Sequence, residues 1–389
     1  MAVTGQPAPR RAVVKAAVRI AVVAALLGLT AASGAVAGGS QAGGVGHARA
    51  GQINDVALSA ADVTISETGS TLLYPLAKTW AAAYHQQFPA ITVHTAGTGS
   101  GTGIADASDG KAEIGASDAY LSSGDLVTNP HLLNIPLAVS AQTVIYNVPG
   151  LPAGSHLQLN GSVLAGIYSG AITQWNDRRI KALNPNLPLT GLTIVPLHRS
   201  DRSGDTFLFT SYLSTQDPAW DSSIGYGTTV NWPNVAGAQS QKGSLAILHG
   251  CAATPGCIAY NGISYLSQAQ TAGLGEAALA NAAKNFALPT ASAINDTVNS
   301  FVSITPPNET ISMINGPTAD GAGYPIVNYE YAVVSTSQPS AGVATAVRNF
   351  LRWVITTGNH GSFLGPVQFQ PLSPTVAQLA QAQIGEIGP

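Results

Sequence analysis

Apolar residues fall into short runs and into three-and-four spacings that alternate along this chain. Ala61-Asp-Val-Thr-Ile-Ser66 predicts a strand, and Leu73, Leu76, Ala77, Trp80, Tyr84 and Phe88 share one face of a helix that tolerates Pro75 in its first turn. Ile91–Thr95 reads as a strand, Ile104–Ala107 as helix and Ala112–Gly115 as a third strand. Leu133–Val139 and Gln142–Val148 predict two more strands, and helices are expected from Asn160 to Tyr168 and from Trp175-Asn-Asp177 onward. Leu192–Leu197 is a buried strand, Thr206–Leu213 a helix, Glu276–Phe286 a short helix and Tyr324–Val334 a strand. Gly342–Gly358 carries Val343, Val347, Phe350, Leu351 and Val354 on one side. Strands alternating with helices give an α/β sheet whose loops gather at the carboxyl ends of its strands.

The N-terminus differs from all of this. Arg10, Arg11, Lys15 and Arg19 precede an apolar run, Ile20–Leu29, and Ala35-Val-Ala37 offers a small-residue cleavage site. Residues 1–37 are therefore expected to be a secretory signal peptide; an uncleaved anchor is the competing reading. Residues 38–55, rich in Gly, Ala, Gln and Ser, predict a flexible leader. No cysteine stands near the cleavage site to carry a lipid. Loss of the leading segment takes the formal charge from −3 to −7, because it holds four of the sixteen cations and none of the nineteen acids. That sign disfavours nucleic acid and acidic membranes as partners. Cys251 and Cys257 are close enough in sequence to form a small disulfide loop in an oxidising compartment. Two sulfurs, and eight histidines without an H-x-x-x-H pair, make no metal site. The roughly 330 remaining residues are expected to form two domains.

Charged residues are 9% of the chain, yet His198-Arg-Ser-Asp-Arg-Ser-Gly-Asp-Thr-Phe207 packs two arginines and two aspartates between a strand and a helix. Ser203-Gly204-Asp205 at the helix start aims free N–H groups at one point, which suits an anion; a plain N-cap with a surface ion pair is the alternative. Gly97-Thr-Gly-Ser-Gly-Thr-Gly103 resembles a phosphate loop only superficially. A dinucleotide fingerprint needs Gly where Thr102 or Ile104 stands, and a triphosphate loop needs a lysine that is absent until Lys111. What remains is a glycine loop that admits a small ligand, with Ser100 offering N–H and O–H.

Seven segments, Gly69-Ser-Thr-Leu-Leu-Tyr-Pro75, Gly97-Thr-Gly-Ser-Gly101, Gly115-Ala-Ser-Asp-Ala119, Ala141-Gln-Thr-Val-Ile-Tyr-Asn147, Ile172-Thr-Gln-Trp-Asn-Asp177, His198–Phe207 and Asn231-Trp-Pro233, follow one another. In that order they resemble the phosphate-binding proteins of the ABC phosphate uptake system, the PstS family, in its actinobacterial-like branch. The resemblance spans about Val63 to Asn359. It implies an α/β, two-lobed periplasmic-binding-protein (type II) clamshell with two crossing hinge strands, lobe I being 56–143 plus 331–389 and lobe II 144–330. The crossings fall near Gln142–Asn147 and Tyr324–Val334. It also implies a binding protein and not an enzyme, without cofactor, that holds inorganic phosphate and delivers it to ABC phosphate permease subunits as an extracytoplasmic monomer.

Carried over motif by motif, the phosphate ligands are Thr71, Leu72, Ser100, Asp118, Arg199, Ser203, Gly204 and Asp205. Asp201 steadies Arg199, and Ser70 stands behind them. Two positions depart from the family pattern: Arg202 replaces the usual Gly, and Asp205 stands where Thr is frequent. Arg202 is expected as a solvated charge at the cleft rim, and Asp205 either caps its helix or touches the ligand. A carboxylate facing an anion makes sense where the anion carries a proton, as hydrogen phosphate does and sulfate does not. Another oxyanion, sulfate or molybdate, is the alternative ligand. A secreted serine hydrolase or phosphatase, with Ser203 as nucleophile beside His198 and Asp201, lacks a G-x-S-x-G turn.

Overall fold

The computed structural model describes residues 62–389 apart from Ala319; the expected signal peptide, the leader and the start of lobe I at 56–61 lie outside the described residues. Twelve strands occur among the described residues: β1 (Val63–Gly69), β2 (Ile91–Ala96), β3 (Ile114–Ser117), β4 (Leu132–Tyr146), β5 (Gln158–Leu159), β6 (Val195–Arg199), β7 (Gln239–Gln241), β8 (Cys257–Gly262), β9 (Gly275–Glu276), β10 (Ala278–Ala280), β11 (Phe286–Ala287) and β12 (Val327–Ser335). The large sheet runs β2-β1-β3-β12-β4-β8-β6-β7, with β9 added on β4; β11-β10-β5 form a small second sheet. Pairing is parallel at both ends of the large sheet and antiparallel around β12 and β4 at its centre.

All fifteen residues of β4 are buried, which accounts for its unbroken apolar reading. Two strands were expected here; the chain forms one. Its first part, to Ala141, pairs with β12, and from Gln142 it pairs with β8. Pro136 does not break it, because the register slips at that point: Tyr331 opposes Pro136 while Glu330 opposes Ala138. The bulge accommodates the missing proline N–H.

A second expectation fails at Glu276–Phe286. This alanine-rich stretch favours a helix intrinsically, but it is β9, β10 and the hairpin into β11. Ala278, Leu279 and Ala280 are buried against β5, and that pairing overrides propensity. Phe88 also leaves its expected apolar face: it caps the helix Tyr74–Gln87 and is 39% exposed.

The predicted C-terminal helix is Ala341–Ile355, started by Ser340, whose hydroxyl accepts from Val343 N at 3.2 Å. Its Phe350 and Trp353 meet Tyr84 edge-on at 5.1 and 5.5 Å between ring centroids, so the last part of the chain packs on the first helix. Cys251, at the end of the helix Ser244–Ala252, is bonded to Cys257 at the start of β8, with Cα atoms 5.3 Å apart. No helix among the described residues is long and apolar enough to cross a membrane.

Candidate anion-binding site

Four strands end at one place. β1 runs into Ser70-Thr71-Leu72 and the helix Tyr74–Gln87, and β2 into Gly97–Gly99 and the helix Ser100–Ser108. β6 ends on Arg199 and leads to the helix Gly204–Gln216; β7 leads through Gly243 to the helix Ser244–Ala252. Asp118 follows β3. Each of these turns leaves helix-start N–H groups pointing toward the common centre, at the carboxyl end of the sheet. The N–H groups of Leu72, Ser100, Gly204 and Asp205 find no acceptor among the described residues. Ser203, 1% exposed, begins its helix without capping it, and its Oγ is likewise without a partner.

The approach is close enough to demand glycine at two of these turns. A side chain on Gly204 would collide with Asp118 and the Ser100 hydroxyl. Gly99 has φ +101° and would meet the Arg202 carbonyl and the Asp201 carboxylate. Gly101 N donates to the Arg202 carbonyl at 3.0 Å, so the β2 and β6 turns touch directly. Arg202 itself lies exposed over Gly101.

Arg199 is 3% exposed and fully engaged. Its Nε donates to Asp201 Oδ1 at 2.7 Å, Nη2 donates to Asp201 Oδ2, and Nη1 donates to Asp205 Oδ2 at 2.7 Å and to Ser244 Oγ at 3.2 Å. Its backbone N–H donates to the Tyr260 hydroxyl at 2.9 Å. Burial disfavours the guanidinium charge, but the two carboxylates outweigh it and raise its pKa. Burial alone would raise Asp201, and the hydrogen bond and charge of Arg199 outweigh that and hold it below the usual range.

Of the two roles expected of Asp205, the helix cap is not taken. Its carboxylate joins Arg199, Ser244 Oγ at 2.8 Å and Gln142 Nε2 at 3.1 Å. Asp118 accepts from the Ser70 hydroxyl, and its own N–H donates to Ser100 Oγ at 3.2 Å. Burial first, and the nearby Asp205 second, push the Asp118 carboxyl up to about 7. Asp205 is also raised by burial, against the pull of Arg199. Thr71 Oγ1 shares a hydrogen bond with Ser244 Oγ at 2.7 Å.

The residues expected from the motifs, Thr71, Leu72, Ser100, Asp118, Arg199, Ser203, Gly204 and Asp205, thus converge, with Asp201 and Ser70 behind them. Ser244, Gln142 and Tyr260 were missed. Ser244 had a readable signal: Gly243-Ser244 repeats the Gly/Ser strand-to-helix junction of the other turns. Among the described residues no group of histidine, cysteine and carboxylate side chains could hold a metal ion.

A buried arginine ringed by helix starts, at the strand ends of an α/β sheet with an antiparallel pair at its centre, is the arrangement of a solute-binding protein. The model of the PBP superfamily domain matches residues 50–357. The phosphate-binding protein PstS of Methanocaldococcus jannaschii is 33% identical over 327 residues, covering 78% of this chain and 81% of that protein. That of Pasteurella multocida is 30% identical over 332 residues, covering 84% and 91%. The solved phosphate-binding protein of Stenotrophomonas maltophilia has the same fold, with a TM-score of 0.63 at 22% identity over 82% of this chain and 93% of that one. The chain belongs to the PstS family of phosphate-binding proteins, which are binding components of transporters and not enzymes.

Proposed function

We propose that this protein captures inorganic phosphate outside the cytoplasm and delivers it to an ABC phosphate permease. One observation carries the choice of ligand: the site combines unpartnered donors with two buried carboxylates, Asp118 and Asp205, around one arginine. Leu72 N, Ser100 N, Gly204 N, Asp205 N and the Ser203 hydroxyl suit the bare oxygens of an oxyanion. Asp118 suits an oxygen that still bears hydrogen, and repels one that bears lone pairs alone. Asp205 shares Nη1 of Arg199 with the incoming anion, either by accepting a second ligand proton or by yielding that nitrogen. Sulfate and molybdate satisfy the donors and leave the carboxylates opposed. A hydrolase is disfavoured by the same geometry, since Ser203 Oγ has no base within hydrogen-bond reach.

In this reading lobe I comprises 56–143 with 331–389 and lobe II 144–330. β4 and β12 join them, and the monomer closes on its ligand after residues 1–37 are removed. The switch of β4 from β12 to β8 at Gln142 supports a crossing there. The start of β12 at Val327 favours a return a few residues before 331.

Selectivity tests the reading. A site built around a ligand hydroxyl rejects an analogue lacking it by about 10⁴ to 10⁵, so the wild type is expected to exclude sulfate on that order. Asp118→Asn offers an N–H₂ that either anion accepts, and most of the discrimination should vanish through gained sulfate affinity. Competition dialysis with labelled phosphate measures it. A mutant that excludes sulfate as strictly as wild type removes Asp118 from the ligand.

A further inference from the structure

Behind Asp118, away from the cleft, stands a second carboxyl that the phosphate site does not use. Glu330 comes from the middle of β12 and is fully buried. Its carboxyl and that of Asp118 lie within hydrogen-bond reach of each other. Two carboxylates cannot bond; one of them must carry a proton.

The surrounding donors say which one. Ser70 Oγ accepts from Leu73 N at 2.9 Å and spends its only proton on Asp118 Oδ1. The same oxygen is 3.3 Å from Glu330 Oε2, so the two carboxyls compete for one hydroxyl proton and a second proton is needed between them. Glu330 Oε1, by contrast, accepts from Asn328 Nδ2–H at 3.0 Å and lies 2.5 Å from Ser140 Oγ, whose one proton it shares with Asn328 Oδ1 at 2.8 Å. No lysine or arginine among the described residues pairs with Glu330; Arg199 is taken by Asp201 and Asp205.

We propose that Glu330 is a positioning residue: it stays a neutral acid and donates its proton to Asp118, so that Asp118 meets the ligand as a carboxylate with lone pairs free for the ligand's hydroxyl. The proposal rests on the reading of Asp118 as the acceptor of a phosphate proton. Without the Glu330 donor, Asp118, buried and beside Asp205, would take up a proton itself and turn from acceptor into donor. The groups facing Glu330 agree with its neutrality. They are Asp118 from the turn after β3, with Asp205 and Arg199 beyond it, and Tyr331 on its own strand; β4 contributes only the Ser140 hydroxyl. Burial, then the Asp118 charge, drives Glu330 well above the ordinary carboxyl range. Glu309, another buried acid, shows what a merely structural one looks like: it bonds Gln383 and approaches none of the site residues.

Glu330→Gln keeps the donor and cannot ionise; Glu330→Leu removes the donor. Infrared difference spectra of the full protein, stripped of ligand near neutral pH, should show one protonated carboxyl band lost in Glu330→Gln. Calorimetric titration with inorganic phosphate across pH adds a functional readout. Glu330→Gln should hold wild-type affinity near neutrality to within about threefold, while Glu330→Leu weakens phosphate about tenfold or more. Wild-type affinity should fall on the alkaline side as Glu330 ionises, by up to about tenfold per pH unit, and Glu330→Gln should be shallower by one proton. A mere packing role would not move the pH slope of phosphate affinity. The proposal is overturned if no band is lost, or if Glu330→Leu keeps the wild-type affinity and slope; should Glu330→Leu not fold, an unchanged slope in Glu330→Gln overturns it. The infrared comparison needs no ligand, so a wild type that failed to bind phosphate would defeat the phosphate reading while this band still decided the state of Glu330.

Discussion

Arg199 already serves both oxygens of Asp201 and one of Asp205 before any ligand is considered. An anion entering the site is held against this background, so the arginine matters less as a free charge than as the one cation that offsets the buried carboxylates around it. Arg199→Ala should therefore weaken phosphate binding by roughly 2 to 5 kcal/mol, the cost of leaving buried charges without their partner. Ser100→Ala, which removes one neutral hydroxyl, should cost about 1 kcal/mol. Titration calorimetry on both variants checks the order, and a larger loss for Ser100→Ala would show the site to be centred elsewhere. At this scale the sequence was informative wherever a residue sits in a short polar turn. Arg199, Asp201, Ser203 and Asp118 stand beside glycines and other polar groups, and their chemistry is visible locally. Glu330 is a lone acid between Tyr329 and Tyr331 in an apolar strand, and Gln142 lies in a similar run. Their roles come from partners far away in sequence, such as Asp118 and Asp205, and local spacing carries no trace of them.

The elements were legible to the degree that their own residues decide them. The helix Ala341–Ile355 and the strand β2 match their periodicity because one face of each is buried as its pattern demands. Glu276–Phe286 went the other way, since alanine favours helix while β4 and β5 offer edges to pair with. The loop ending at Glu309 shows a similar override. Glu309 has φ +53° and is completely buried, with Gln383 Nε2 donating to Oε2 at 2.7 Å and no partner for Oε1. Burial raises its carboxyl from 4.5 to about 9. The sign follows: the fold binds this proton more tightly than the unfolded chain, so its stabilising share is whole below pH 4.5 and is lost as pH rises toward 9. Glu309→Gln should remove that slope and stabilise the protein at neutral pH by on the order of 1–3 kcal/mol. Thermal melts across this range measure it, and a variant whose melting temperature falls in parallel with wild type would show that Glu309 is not the titrating group.

Among the described residues, the sheet order brings four strand-to-helix turns together at β1, β2, β6 and β7, and its two ends are joined through β12 and β4. The Gly101 N–H to Arg202 carbonyl bond and the Thr71–Ser244 hydroxyl contact join the two proposed lobes. With the bonds from Ser244 N to Thr71 Oγ1, Ser264 Oγ to Leu72 O and the Tyr265 hydroxyl to Thr71 O, they are the contacts that a hinge-closing binding protein would exchange for water on opening. Small-angle scattering should accordingly give a smaller radius of gyration with phosphate than without; an unchanged profile at saturation would mean that the cleft does not move. The central claim is that the cleft selects a proton-bearing phosphate. Isothermal titration of the ligand-stripped wild type, first with phosphate and then with sulfate, tests it most directly. One phosphate per chain should bind tightly, with no measurable heat from sulfate; sulfate binding as well as phosphate would contradict it.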